Sequence, residues 1–202
     1  MTVARGSLGK VKPGPPSTQK YMILLLSYVV FSLGAGYMAG VQPSGAGWRD
    51  FSWHPFLMTC SFVGAFGAAA VTKKRGGYTN TKAHGILAWL GNFLALAGLY
   101  AIYNHKNSIG KAHFQTTHSI AGLVVLGGCF MSGMAGGVFL HPDFGMDKTN
   151  KTIRFAHMWM SRIVLIIAWF NAFNGLTQLT QDPTKLAAYG LPLLALLFPS
   201  FM

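Results

Sequence analysis

Residues 114–122 read FQTTHSIAG, and the run they open continues without a charged side chain to Leu140. One imidazole, His118, therefore stands among hydroxyl neighbours at the mouth of a segment apolar enough for a bilayer. An imidazole in hydrocarbon is costly unless something binds it, so the fold has to supply His118 with a partner. The hydroxyls of Thr116, Thr117 and Ser119 either cap the helix that starts here or orient the His118 ring through its second nitrogen.

The remainder of the chain has the same character. Hydrophobic residues make up 51% and charged residues only 10%, and the acidic inventory is Asp50, Asp143, Asp147 and Asp182 with no glutamate, unlike a soluble domain. A bilayer crossing needs about 20 apolar residues. Six stretches qualify, 21–41, 52–71, 83–103, 117–140, 153–176 and 186–202, and all four aspartates lie outside them. A soluble bundle would show helices polar on one face, whereas these are apolar nearly all round. The expected fold is an all-α membrane protein, a bundle of six transmembrane helices. The last is the shortest and carries Pro192 and Pro199.

Basic residues give the orientation. Arg5, Lys10, Lys12 and Lys20 precede the first helix; Lys73, Lys74, Arg75 and Lys82 fall in the second loop; Lys148, Lys151 and Arg154 fall in the fourth. The opposite loops hold only Arg49, Lys106, Lys111 and Lys185. The N-terminus is thus expected on the basic side, cytoplasmic or matrix-like, with the membrane itself left open, the mitochondrial inner membrane included. The net charge of +12 is explained by topology and lipid headgroups without nucleic acid. Residues 1–20, rich in Gly, Pro and Ser, are expected to form a disordered basic tail before a transmembrane domain of 21–202. Cys60 and Cys129 lie inside apolar runs and read as small core residues, not as a disulfide.

Depth sorts the histidines. Helices 2 and 4 run in the same direction, with His54 and His118 near their starts; helices 3 and 5 run the other way, with His84 and His157 near theirs. Four histidines, one per helix, therefore fall into an outer pair and an inner pair, as two stacked sites in a four-helix bundle require. Bridging carboxylates are absent, which excludes a di-iron centre, and structural zinc wants four ligands where each depth offers two. Haem iron, with one imidazole on each side, fits the count. Without a CxxCH motif the haem is held non-covalently, as a b-type group. The glycines Gly122, Gly85 and Gly91 near the histidines either make room for a flat macrocycle or let helices pack closely. Trp53, Trp89, Trp159 and Trp169 either stack beside it or anchor at the interface.

The spacings from His84 to His118 and from His118 to His157, with HPFLM at 54–58 and THS at 117–119, resemble the cytochrome b561 family over roughly residues 21–185. The resemblance implies two haem b groups in a core made by helices 2–5, His54 with His118 and His84 with His157. It also implies transmembrane electron transfer, typically from cytoplasmic ascorbate to monodehydroascorbate or a ferric chelate. In ascorbate-using members a lysine stands five residues before the helix 3 ligand; here that position is Thr79, with Lys82 nearer, and the second histidine of that helix is Ala88. Lys73, Lys74, Lys82, Lys148 and Arg154 are the candidate binders of a small anionic reductant, and His105 the candidate contact for the outer acceptor. His113 reads as a solvated loop residue, and His141 in HPDFG as punctuation after helix 4. Arg162, a cation inside helix 5, needs a partner: a haem propionate, or snorkelling toward headgroups or a helix-end carbonyl. Two function classes follow, a transmembrane oxidoreductase of ascorbate-dependent or ferric reductase type, or a haem-bearing or structural accessory subunit without ascorbate chemistry of its own. A homodimer and a place in a larger membrane complex both remain open. A histidine-lined transporter is disfavoured, because no acid links the two depths.

Overall fold

The computed structural model describes residues 14–201, and six helices long and apolar enough to cross a membrane account for most of them. They are α1 (Thr18–Gly40), α2 (Asp50–Lys74), α3 (Tyr78–Ser108), α4 (Thr117–Val138), α5 (Lys151–Thr177) and α6 (Pro183–Phe201). Each of the six expected stretches is found, so the chain is an all-α, multi-pass integral membrane protein. Arg5, Lys10 and Lys12 of the expected tail lie outside the described residues.

Local chemistry sets the helix starts. The Ser17 hydroxyl accepts from the Lys20 amide at 3.3 Å, so α1 begins at Thr18, inside the stretch assigned to the tail. Asn150 caps α5 by accepting from the amides of Thr152 and Ile153 at 2.9 and 3.1 Å. Helix α6 opens on Pro183, whose missing amide proton costs nothing in the first turn, while Asp182 receives the Thr184 amide at 2.9 Å. Gly76 and Gly77 take φ of +68° and +80°, a left-handed pair that residues with side chains rarely adopt, and α2 reverses into α3 there. Helix α3 is the main departure from expectation. Its 31 residues exceed the span 83–103, and at 1.5 Å each they extend about 46 Å, beyond a hydrocarbon core of about 30 Å. Lys82, His105 and Lys106 are therefore on projecting helix ends, not in loops.

The helices form two antiparallel hairpins, α2/α3 and α4/α5, packed so that α3 lies against α4 and α2 against α5. Helix α1 runs along α2, and α6 packs on α5, α1 and the end of α2. The end holding the start of α1 and the 139–150 loop is called the near end here; the end holding the loops around residues 41–49, 109–116 and 178–182 is the far end. Close approach of α1 and α2 depends on Gly67: a Cβ there would fall 2.5 Å from the Tyr28 ring. The tightest core gathers where α1, α2, α5 and α6 meet. Tyr28 and Trp169 are fully buried with ring centres 6.4 Å apart. Both polar tips are satisfied, Tyr28 donating to the Leu196 carbonyl at 2.8 Å and Trp169 Nε1 to the Phe62 carbonyl at 2.8 Å. Phe62 lies in a π-helical turn, Cys60–Ala65, in the middle of α2. Cys60 and Cys129 are free thiols, as expected. Exposed large side chains such as Leu26, Phe93, Val124 and Phe170 line the outside of the bundle, where a bilayer replaces a core.

Candidate functional site

The core square α2–α3–α4–α5 has two diagonals, and each carries one pair of histidines. His54 on α2 faces His118 on α4 with ring centres 6.3 Å apart and planes at 87°; His84 on α3 faces His157 on α5 at the same 6.3 Å and 87°. Neither pair is in direct hydrogen bonding. In every case the Nδ1 atom is engaged by the histidine's own hairpin partner. His54 Nδ1 lies 3.0 Å from the Gly98 carbonyl on α3, and His84 Nδ1 lies 2.9 Å from the Ala69 carbonyl on α2. His118 Nδ1 lies 3.1 Å from the Asn171 carbonyl on α5, while Asn171 Nδ2 donates back to the His118 carbonyl at 3.1 Å. His157 Nδ1 is 3.4 Å from Ser132 Oγ on α4.

A carbonyl oxygen only accepts, so His54, His84 and His118 each carry their proton on Nδ1 and keep a lone pair on Nε2. Among the described residues no Nε2 of the four makes a hydrogen bond. A metal held between two imidazoles, with roughly 2 Å per metal–nitrogen bond and about 1 Å from nitrogen to ring centre, sets the rings roughly 6 Å apart. Both pairs have that spacing. Among the described residues no three of His, Cys, Asp and Glu cluster as a polydentate metal site would require. Backbone room is also present: a Cβ at Gly175 would fall 2.7 Å from the His118 ring, and one at Gly136 would fall 3.1 Å from the His157 ring. At the His54/His118 layer the helices enclose a cavity of about 430 Å³, within the roughly 300–1,000 Å³ of ligand pockets. The residues present thus fit a flat iron macrocycle with one imidazole on either side. Fourteen residues separate His84 from Gly98, the group that receives His54, which puts the two layers about 21 Å apart along α3.

The charged residues divide by layer. At the near end Lys73 acts electrostatically on both His84 and His157, donates to Thr81 at 2.8 Å and is repelled by Arg154. Lys148 and Arg154 border the same end, bonded to the Pro142 and Lys148 carbonyls at 2.9 Å each. Lys82 is differently placed from its sequence reading: it is paired with Asp143 at 2.9 Å, and Tyr78 donates to the same carboxylate. Lys74 turns away to the Pro199 carbonyl at 2.6 Å, on α6. Arg162 is not at a histidine pair in hydrogen-bonding terms; its guanidinium lies 5.5 Å over the Trp159 ring and close enough to Lys74 to repel it.

At the far end His105 packs on Phe51, and both line the cavity beside His54 and His118. Lys106, which the sequence reading left as a topological charge, acts electrostatically on both His54 and His118 and is the far-end counterpart of Lys73. His113 stacks on Tyr103 at 4.3 Å. Phe114, first residue of the opening stretch, sits at φ +54° on the cavity wall, a conformation a bulky residue adopts only under constraint. Thr116 and Ser119 form a reciprocal capping box, so those hydroxyls cap α4 and leave the His118 ring to Asn171. Trp53 and Trp159 are exposed, as interface anchors are, and Trp169 serves the core.

Comparison with known proteins agrees with this geometry. The family model described as eukaryotic cytochrome b561 matches residues 53–181, a span that contains all four histidines. The transmembrane ascorbate-dependent reductase CYB561 of Bos taurus is 26% identical over 181 residues, covering 82% of this chain and 71% of the relative. The lysosomal membrane ascorbate-dependent ferrireductase CYB561A3 of Danio rerio is 24% identical over 140 residues, covering 64% and 55%. The transmembrane reductase CYB561D2 of Homo sapiens is 35% identical over 87 residues, covering 38% of each. With its six apolar helices and its paired imidazoles, the chain belongs to the eukaryotic cytochrome b561 family, membrane proteins of transmembrane electron transfer with haem b as cofactor.

Proposed function

We propose that the chain binds two haem b groups, one between His54 and His118 and one between His84 and His157, and moves single electrons from a small anionic reductant at the near end to an acceptor at the far end. The observation that carries this reading is the repetition of one ligand geometry on both diagonals, with Nδ1 engaged and Nε2 free each time. Held between these histidines, haem would supply reversible one-electron chemistry. The protein's own residues do the rest. Hairpin carbonyls hold three of the four rings in the donor-correct tautomer. Lys73 and Arg154 draw an anion to the near end, and Lys106 does the same at the far end, where His105 lines the cavity. Two of the relatives are ascorbate-dependent reductases, which supports ascorbate or a similar enediol anion as the donor class. The basic side, where α1 starts at Thr18, is assigned to the cytoplasm or a matrix-like compartment.

The test is haem stoichiometry in the purified chain. Two haems per chain with low-spin bis-histidine spectra are expected. His118→Ala should leave one, from the His84/His157 layer, and His157→Ala should leave the other. A folded wild-type chain saturating at one haem or none overturns the reading. The Thr79 position and the pairing of Lys82 with Asp143 favour a second reading, a haem-bearing accessory subunit without ascorbate chemistry. Reduction of the isolated, haem-loaded chain by ascorbate decides between them.

A further inference from the structure

We propose that Ser132 and Ser161 are positioning residues that set the redox potential of the near-end haem, with the Ser132 hydroxyl as hydrogen-bond acceptor of His157; this rests on the two-haem reading above. Three contacts form a closed triangle between α4 and α5. His157 Nδ1 is 3.4 Å from Ser132 Oγ, Ser132 Oγ is 2.5 Å from Ser161 Oγ, and Ser161 Oγ is 2.7 Å from the His157 carbonyl. Only one arrangement of protons satisfies all three. The carbonyl accepts, so the Ser161 hydroxyl donates to it. That uses Ser161's only proton, and the short contact between the two serines is therefore donated by Ser132. Ser132 then has only lone pairs left for His157, which donates from Nδ1 and keeps its Nε2 lone pair. Hydrogen bonding thus leaves the His157 ring, passes through two hydroxyls and returns to the backbone of the same residue.

The other three histidines donate to carbonyls at 2.9–3.1 Å. His157 alone meets a hydroxyl, at a longer distance, with the Ser132 carbonyl close by but outside hydrogen-bond geometry. A strong acceptor on Nδ1 makes an imidazole a more electron-rich ligand, and a weak one makes it less so. An electron-poor ligand favours the ferrous state. The serine relay therefore holds the near-end potential above the value a carbonyl acceptor would give, and removing the hydroxyl raises it further, because the Nδ1 proton then has no partner.

The experiment uses the full chain, haem-loaded in lipid nanodiscs, in a His118→Ala background that leaves only the near-end haem, followed by spectroelectrochemical titration. Ser132→Ala should shift the ferric-to-ferrous ratio at a fixed potential about fivefold toward ferrous, about 40 mV at 59 mV per tenfold for one electron. Ser161→Ala should shift it in the same direction by less, and Ser132→Thr, which keeps a hydroxyl, should restore the parent value. In the reverse background, His157→Ala, Ser132→Ala should leave the far-end potential in place. If Ser132→Ala leaves the near-end potential unchanged or lowers it while the haem stays bound, the tuning role is wrong. If the His118→Ala chain binds no haem, the two-haem reading fails instead.

Discussion

The two histidine layers share ring spacing and ring angle, yet they differ in access and in one hydrogen-bond acceptor. At the far layer both Nδ1 atoms meet carbonyls, a cavity opens beside the pair, and Lys106 and His105 stand at its wall. At the near layer one acceptor is a hydroxyl, and the approach is bordered by the loop 139–150, which the Lys82–Asp143 pair ties to the start of α3. The comparison separates what must be repeated from what is free to vary. The two facing imidazoles on a diagonal are the part that is repeated. Access and hydrogen-bond acceptor are local to each layer.

The largest test of that contrast is steric. Gly175→Ala puts a methyl 2.7 Å from the His118 ring, and Gly136→Ala puts one 3.1 Å from the His157 ring. The first should cost the far-end haem at least tenfold in affinity, in the range typical of disturbed ligand shells, while the second should leave most near-end haem in place. Haem titration of the two variants checks it, and equal losses would erase the distinction.

A smaller effect is expected from charge. Lys73→Gln with Arg154→Gln should raise KM for an anionic reductant about five- to tenfold, with high salt reproducing the change. Lys82→Gln alone should change it less than twofold, since its charge is already offset by Asp143. Steady-state reduction rates at two ionic strengths give the comparison, and a dominant Lys82 effect would mean that reductant displaces Asp143.

The smallest effect concerns pH. The hydrogen bond from Tyr78, and then Lys82, hold the Asp143 carboxyl below the usual carboxylate range. A depressed value means that the contact stabilises the loop above the ordinary carboxylate range and fades as pH falls through the depressed value. Because the pair is exposed, the change is slight. Wild type and Asp143→Asn should show nearly the same thermal midpoint in acid and separate slightly near neutrality, wild type the higher; no separation at any pH would show that the latch does not hold the loop.

The frame is legible in the sequence because apolar length marks each span, and four histidines near helix starts sort by depth into the two pairs that face each other. It left the acceptors of Nδ1 hidden, because Gly98 and Ala69 contribute carbonyls, which every residue carries. Asn171 and Ser132 gave no signal until the antiparallel register of α4 and α5 set them opposite histidines. Gly136 and Gly175 carry no signal of their own in the sequence, although each lies against a histidine ring of the pairs. Lys106 reads only as a far-side charge, because its effect on both far-end imidazoles depends on α3 continuing to Ser108. Lys82 reads as a candidate anion binder, and its pairing with Asp143 is hidden because that residue is distant in the chain.

One helix keeps a different count from the other three. On α3, α4 and α5 fourteen residues separate the histidine from the residue that meets the other layer, His84 to Gly98, His118 to Ser132 and His157 to Asn171; on α2 the interval from His54 to Ala69 is fifteen. Fourteen residues make just under four turns, so both groups share a face, and a fifteenth would swing them apart by about 100°. The π-helical turn Cys60–Ala65 lies within the longer interval and absorbs the additional residue. The second helix is therefore the place where this fold can change length by one. Deleting a single residue from Cys60–Ala65 should convert the wide turn to regular α-helix and leave both layers assembled, whereas a deletion between His84 and Gly98 should dismantle one of them.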